Sequence, residues 1–454
     1  MLIRTIVCSV LCLGLFSRHA VRAQDTTHLS KDTVQIPPSG KWDLQTCLDY
    51  AKKNNIQINS LRLTEKTSEQ AYLLAKAATL PNLYASLGQT GTHSKNANPV
   101  VGGFQTQATV AGSYSLNSSV TLYKGGYLKD VIRQNSLEIQ SANLNILQSE
   151  NDITLQITQA YLNILLAKEN VVYVKDLVSS TIAQVDQGKK EYDAGTIARN
   201  AYIELQAQLA TDKYTLVTAE NAVRQNKLTL KQLLQLPIAD TLDVVEPDTV
   251  IATEAVPSLQ QVESTALQNR PEIKNGQLGV QISQYDLAKA RSGYMPTLIA
   301  TGAMASGYSN NESIQYFQQL DNNFFQQIGL TLSIPIYTNR TNKTNVENAK
   351  IEVAQSRLTL LNTQTTLAQS IEQAYINVLN AQGQYDAALE ELKANEETYR
   401  ITGEELKVGA VNLVSYLQQK TLYIQAFQAY IQAKYNAALS IRIYDFYMGI
   451  AIKL

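Results

Sequence analysis

Between residues 127 and 187 the chain contains neither proline nor glycine, and its apolar residues recur at a fixed interval. Ile139, Ile146, Ile153, Ala160, Ala167 and Val174 fall every seven residues, and Ile157, Ile164, Val171, Val178 and Val185 form a second series displaced by four. Ile371, Val378, Tyr385, Leu392, Tyr399 and Leu406 repeat the pattern, with Leu367, Ala374, Ala381 and Ala388 beside them. Sustained heptads predict helices packed as coiled coils, here over about 127–190 and 339–405. At ~1.5 Å per residue each helix is about 90–100 Å long. Two apolar seams on one helix require a neighbour on each side, as in a closed ring of helices. A rod-like bundle is the alternative.

Ahead of each long helix the period changes. Residues 43–79 and 258–294 read as helices stopped by Pro81 and Pro296. Two strands follow in each half, at about 82–90 and 108–123, then at about 297–306 and 325–337. Tyr114, Leu116, Val120 and Leu122 share one parity, while Ser113, Ser115, Asn117, Ser119 and Thr121 take the other. Ile328, Leu330, Leu332, Ile334 and Ile336 alternate with Gln327, Gly329, Thr331 and Ser333. One oily face and one uncharged polar face suit a wall between lipid and water, or a half-buried strand of a soluble sheet. Two strands per half are too few for a sheet with its own core, so partners from other chains are expected. Segments 91–107 and 307–323 read as long connecting loops.

The two halves are copies. Leu44, Ala51 and Asn54 match Leu259, Ala266 and Asn269 at an offset of 215 residues (44 to 259). Leu80-Pro81 matches Met295-Pro296 at the same offset. Tyr123 matches Tyr337, the segment from Gln159 to Leu165 matches that from Gln373 to Leu379, and Gly195 matches Gly409, all at 214 (195 to 409). The first repeat spans 41–236 and the second 258–454; residues 237–257, with Pro237, Pro247 and Pro257, link them.

Compartment and chemistry narrow the reading further. Arg4, the apolar stretch 5–16 and Val21-Arg22-Ala23 fit a cleaved signal peptide over 1–23, followed by a flexible segment 24–40. Val7 and Leu11 precede Cys8 and Cys12, so no lipid anchor is expected, and Cys47 alone survives cleavage without a disulfide partner. No run reaches 18 apolar residues, so an exported chain of this kind is either soluble or a β-barrel. Charged residues are only 17% and the net charge is −1, which gives no nucleic-acid footprint. His28, His93 and Cys47 form no recognisable metal cage, and phosphate- and dinucleotide-binding glycine motifs are missing. An enzyme, a cofactor and a metal are therefore not expected.

The signal and the duplicated helix–strand–strand–long helix units together resemble the TolC-like outer-membrane efflux family over about residues 41–454. The motifs that carry the resemblance are Ala51-Lys-Lys-Asn54 and Ala266-Leu-Gln-Asn269, Leu122-Tyr123-Lys124-Gly125-Gly126 and Ile334-Pro335-Ile336-Tyr337, and the turns around Gly195 and Gly409. The resemblance implies a mainly α fold with a membrane β-barrel portion. A homotrimer would pool four strands per chain into one barrel, above a periplasmic tube of helices. Tyr114, Leu116, Val120, Leu122, Ile328, Leu330, Leu332 and Ile334 would face outer-membrane lipid. The tips, Gly195, Thr196, Ile197, Val408, Gly409, Ala410 and Val411, would dock a periplasmic adaptor that joins an inner-membrane transporter. Leu413, Ser415, Tyr416 and Gln418 would line the periplasmic entrance, where this sequence lacks the acidic residues common in the family. The implied function is a passive exit channel of a tripartite efflux system in a Gram-negative outer membrane. Two readings stay beside it: the channel of a type I protein secretion system, and an exported helical scaffold without a pore.

Overall fold

The computed structural model describes residues 41–97, 102–247 and 250–452; the expected signal segment 1–23 and the segment 24–40 lie outside the described residues. The first half opens with strand β1 (Lys41–Trp42) and helices α1 (Leu44–Asn54) and α2 (Ile56–Ala77). Strands β2 (Tyr84–Ala97) and β3 (Phe104–Lys124) follow, then α3 (Tyr127–Asp193), α4 (Arg199–Leu234) and β4 (Asp243–Val244). The second half runs α5 (Leu259–Asn269), α6 (Pro271–Ser292), β5 (Thr297–Ser309), α7 (Tyr316–Asn322), β6 (Phe325–Ser333), α8 (Thr341–Lys407) and α9 (Leu413–Tyr447).

The helix expected at 43–79 is two. Asp43 caps α1 by accepting from the Thr46 N–H at 2.7 Å. Asn55 then leaves helical geometry (φ −61, ψ 128) and its side chain accepts from Gln57 and Ile58 N–H, which starts α2. The single helix expected at 258–294 also breaks, at Arg270, because Pro271 forces the preceding residue into extended backbone and itself occupies the first helical turn.

α3 and α8 are 67 residues each, about 100 Å long at ~1.5 Å per residue. Upward, α3 packs between α2 and α6, and α6 leads on to α8. Downward, α3 pairs with α4 and α8 with α9, and α9 rests on α3. Both flanks of α3 are thus occupied, as two seams require. The main apolar core lies midway, where Trp42, Cys47 and Leu48 meet Ile157, Ile164 and Leu165 of α3 and Leu230 and Leu234 of α4. There β1 pairs in parallel with β4. Tyr161 donates to the Val245 carbonyl at 2.6 Å. Asp243 takes Lys227 at 2.9 Å and Lys168 at 3.0 Å.

The four long strands form one antiparallel sheet in the order β2-β3-β5-β6. Most of segment 91–107, expected to be a loop, is strand, paired from His93↔Ala108 to Ala97↔Phe104. Its Ser, Thr and Gly content hides strand structure because the backbone ladder, not side-chain burial, holds it. Segment 307–323 contains α7, which folds back on β5: Gln319 accepts from the Ser309 N–H at 2.8 Å and donates to the Ile314 carbonyl at 2.6 Å. β6 ends at Ser333, short of the expected 337, because Pro335 lacks a ladder donor. Ile334 therefore lies past the strand.

Candidate functional sites: the sheet, the hairpin tips and the seam between them

Register decides which side chains share a face of the sheet. Ile328, Leu330 and Leu332 stand opposite Gly302, Ala300 and Leu298. Those three stand opposite Ser118, Val120 and Tyr123. Leu116 stands opposite Ala85, and Tyr114 opposite Leu87. Directly paired residues point to the same side, so these positions build one largely apolar face across all four strands. Ile328 is 91% exposed and Leu330 68%. The opposite face carries Ser86, Thr90, Ser113, Ser115, Ser119, Thr121, Thr301, Gln327 and Thr331, hydroxyls and amides without a charge. Lys124, opposite Thr297, ends that face at the helix side.

Leu122 departs from its expected parity. The register shifts between Thr121 and Tyr123, so Leu122 is the extra residue of a bulge and Tyr123, not Leu122, pairs with Leu298. The next residues, Gly125 and Gly126, both have positive φ (58 and 86). A Cβ on Gly125 would sit 2.5 Å from the Met295 Cβ, so glycine is required there for the chain to pass under the neighbouring repeat.

At the far end of the long helices lie the two tips. After α3, Gly195 adopts φ 76, and the Thr196 N–H and hydroxyl both reach the Glu191 carbonyl at 2.8 Å. After α8, Gly409 adopts φ 73, and the Ala410 N–H reaches the Glu405 carbonyl at 2.9 Å. Both are six-to-one helix closures that need a left-handed residue. Among the described residues, a Cβ at either glycine would meet nothing within 4 Å, so it is the positive φ and not crowding that favours glycine there. Gly195, Thr196, Val408, Gly409 and Ala410 are exposed, and Ile197 and Val411 half-buried. The structure brings these seven together in two turns at one end of the molecule.

The four expected entrance residues lie on the first turns of α9 and differ in burial. Ser415 and Gln418 are exposed, and Leu413 is half-buried. The Ser415 N–H is taken up by Asn412, which caps α9 at 2.9 Å. Tyr416 alone turns inward. Its hydroxyl lies 2.8 Å from the Tyr399 hydroxyl and accepts from Gln184 Nε2 at 2.6 Å, which ties α9 to α8 and α3. Burial raises the Tyr416 pKa, and the hydrogen bond with Tyr399 acts in the same direction, so the phenol stays neutral.

One turn further along α9 is a group the sequence reading missed. Lys420 is fully buried, and its ammonium donates to Asp212 Oδ2 at 2.9 Å and to Thr181 Oγ1 at 2.5 Å. Thr181 donates to the same Asp212 oxygen at 2.5 Å, and Gln208 donates to Oδ1 at 2.8 Å. Three helices, α3, α4 and α9, thus meet on one ion pair. Beyond it Tyr173 stacks on Phe427 with centroids 3.7 Å apart, and Tyr423 stacks on Tyr399 at 5.2 Å. Lys434 and Tyr435 then both reach Glu169. The signal was present in the sequence. Tyr416, Lys420, Tyr423 and Phe427 follow four-three-four spacing, so a lysine stands in a stripe otherwise made of rings.

The outer membrane efflux protein family model matches residues 47–235 and 262–442, one match per repeat and more than half the chain in total. Outer membrane protein TolC of Vibrio cholerae is 20% identical over 400 residues, covering 88% of this chain and 89% of that protein. The proteases secretion protein PrtF of Dickeya chrysanthemi is 20% identical over 412 residues, covering 86% of this chain and 84% of that protein. Among solved structures, a CusC structure described as undergoing transmembrane channel formation superposes with a TM-score of 0.75 at 17% identity, covering 89% of this chain and 91% of that one. The chain belongs to the outer membrane efflux protein family, whose members are channels of the Gram-negative outer membrane with a periplasmic extension.

Proposed function

We propose that this chain is the passive exit duct of a tripartite efflux system. One observation carries the reading: a four-stranded sheet with two unpaired edges, β2 and β6, is fused to helices about 100 Å long. An open edge cannot face hydrocarbon, because its unpaired N–H and C=O groups find no partner there. Three copies close such sheets edge to edge, β6 of one copy on β2 of the next, into one barrel. The apolar face, with Leu116, Val120, Leu330 and Leu332, meets lipid, and the hydroxyl face lines the bore. The helices extend the bore into the periplasm. In this reading the driving energy comes from an inner-membrane transporter.

The tips are the docking surface for a periplasmic adaptor. The seven named tip residues are uncharged, and the Tyr416–Gln184 hydrogen bond ties the second hairpin to the first on the tip-side stretch of the long helices. Ala410→Asp or Thr196→Asp changes no helix register but buries an unpaired charge at the contact, which costs several kcal/mol. Adaptor crosslinking and substrate export, measured at matched trimer levels, both fall in these variants. Normal crosslinking and export in both would remove the tips from the docking site. The likeness to PrtF supports a second reading, in which the same duct serves protein secretion. The inner-membrane transporter that co-purifies after crosslinking separates the two.

A further inference from the structure

The junction between strands and helices carries an exposed ring of aromatic and apolar side chains. Tyr123, Tyr294, Met295, Ile336 and Tyr337 are each at least 48% exposed, and Tyr337 is 84% exposed. Within two helical turns of this ring, every carboxylate is already used: Asp130 lies near Arg133, Asp286 near Lys289 and Glu347 near Lys350. Lys76, Lys129, Arg291, Arg340 and Lys343 are exposed and, among the described residues, have no carboxylate at ion-pairing distance. Uncompensated positive charge stands out in a chain of net charge −1.

The duplication repeats this placement. Lys76 matches Arg291 at the 215-residue offset, and Lys129 matches Lys343 at the 214-residue offset (129 to 343). Each repeat thus sets one cation at the end of its entering helix and one at the start of its long helix. The side that Lys343 occupies follows from its heptad. Lys343, Lys350, Arg357, Gln364, Ile371 and Val378 lie seven apart on α8, and Ile371 and Val378 pack with Val262 and Ala266 of α5. In a closed tube an added layer such as α5 fits only on the outside, since inside it would fill the bore.

We propose that these cations form a collar that binds the anionic headgroups of phospholipids in the leaflet nearest the helices. The inference rests on the outer-membrane channel reading given above. Tyrosines at headgroup depth, followed by lysine and arginine one to two turns deeper into water, match the chemistry of a lipid phosphate layer. Each basic residue held near an anionic surface adds a several-fold preference, so a collar repeated in both halves is strongly selective. Lys76 also lies 4.6 Å from the Tyr72 ring centroid, which holds its ammonium at the surface of α2.

The test uses the full chain in nanodiscs of equal phosphatidylglycerol and phosphatidylcholine, with the lipids that stay bound on gentle extraction read by native mass spectrometry. Wild type retains phosphatidylglycerol over phosphatidylcholine by at least about tenfold, and about 0.5 M salt removes most of that preference by screening. A variant combining Lys76→Gln, Lys129→Gln, Arg291→Gln and Lys343→Gln falls to about twofold or less, and Lys393→Gln with Lys407→Gln, far down the tube, changes nothing. Replacing Lys76, Lys129 and Lys343 by arginine keeps the preference. Equal retention of both lipids by wild type, or an unchanged ratio in the glutamine variant, overturns the collar while leaving the channel reading intact. A chain that enters no bilayer overturns both.

Discussion

Replacing Lys420 by methionine removes one charge from the most enclosed ion pair in the described chain. The side chains of Lys420 and Asp212 are 1% and 3% exposed. Methionine has nearly the volume of lysine's stem, so it fills the same buried space and the lost charge dominates. Asp212 keeps hydrogen bonds from Thr181 and Gln208, at 2.5 and 2.8 Å, but has no cation left. Breaking one side of such a pair costs about 3–5 kcal/mol, because an uncompensated charge stays buried. Asp212→Leu alone strands the ammonium and costs a similar amount. Together, Lys420→Met and Asp212→Leu leave an apolar seam whose cost is near zero, since buried pairs are often replaced by hydrophobic residues without loss. The singles would add to about 6–10 kcal/mol if independent, so the cycle predicts a coupling of several kcal/mol.

Unfolding midpoints of detergent-solubilised trimers, taken for the four members of the cycle at one protein concentration, provide the readout. A single-variant loss below about 1 kcal/mol, the range of an exposed pair, would refute the claim that the pair is buried in the assembled protein. Additive losses would refute the claim that the two groups act on each other.

The sheet gives a second contrast: Leu330→Arg costs about 2–4 kcal/mol if it meets the bilayer midplane, whereas Thr331→Lys, on the hydroxyl face, is tolerated. Equal trimer yields in the outer membrane would sink the assignment of faces. Asp243 gives a pH effect: burial opposes its ionisation, but the hydrogen bonds and charges of Lys227 and Lys168 outweigh this and lower its pKa to about 2. A depressed carboxylate stabilises the fold above its unfolded value near 3.8 and loses that contribution as the pH falls toward about 2. Asp243→Asn therefore lowers the melting midpoint at pH 7 by the modest amount expected of a partly exposed pair, about 1 kcal/mol after solvent screening, and the gap to wild type closes by about pH 2. Cys47 is fully buried, and burial followed by the nearby Asp43 charge pushes its thiol up to about 12, so a thiol reagent at pH 8 labels only the unfolded chain.

The long helices were legible because a seven-residue period over some sixty residues has no other physical reading. Gly195 and Gly409 were legible because a reversal after such a helix needs a left-handed residue. The strand lengths were not, since Thr92 and Ser94 resemble loop residues and only a paired backbone shows that they are extended. The break at Arg270 was readable from Pro271 but was hidden by an apolar pattern that continues across it. The bulge at Leu122 leaves no mark in the alternation, because it depends on where β5 meets β3. Lys420 was hidden for a different reason. A lone lysine on a helix is ordinarily solvated, and only the placement of α4 behind α3 puts a carboxylate within its reach.

That lysine also shows why two copies of one unit are not interchangeable. At the 214-residue offset, Asp212 of the first half corresponds to Ala426, Thr181 to Asn395, and Lys420 to Gln206 (206 to 420). Ala426 is buried, and Gln206 is exposed in the single chain, its amide donating to the Tyr202 hydroxyl one turn away. Tyr202 itself corresponds to Tyr416, yet it stacks on Tyr192 at its own tip instead of crossing to another hairpin. The seam of α9 on α3 is therefore written with a charge pair, and its repeat-related counterpart, α4 beside α8, with an amide and an alanine. In the proposed trimer the first seam lies within a chain and the second between chains. A lysine placed in the second would find Ala426 and Asn395 where it needs a carboxylate, and Asp212 placed against Gln206 would find no cation. Desolvating either charge without its partner costs several kcal/mol, far more than the difference between two apolar seams of equal size. The pair therefore acts through what it forbids: in the proposed trimer the charged seam and the uncharged one cannot exchange places.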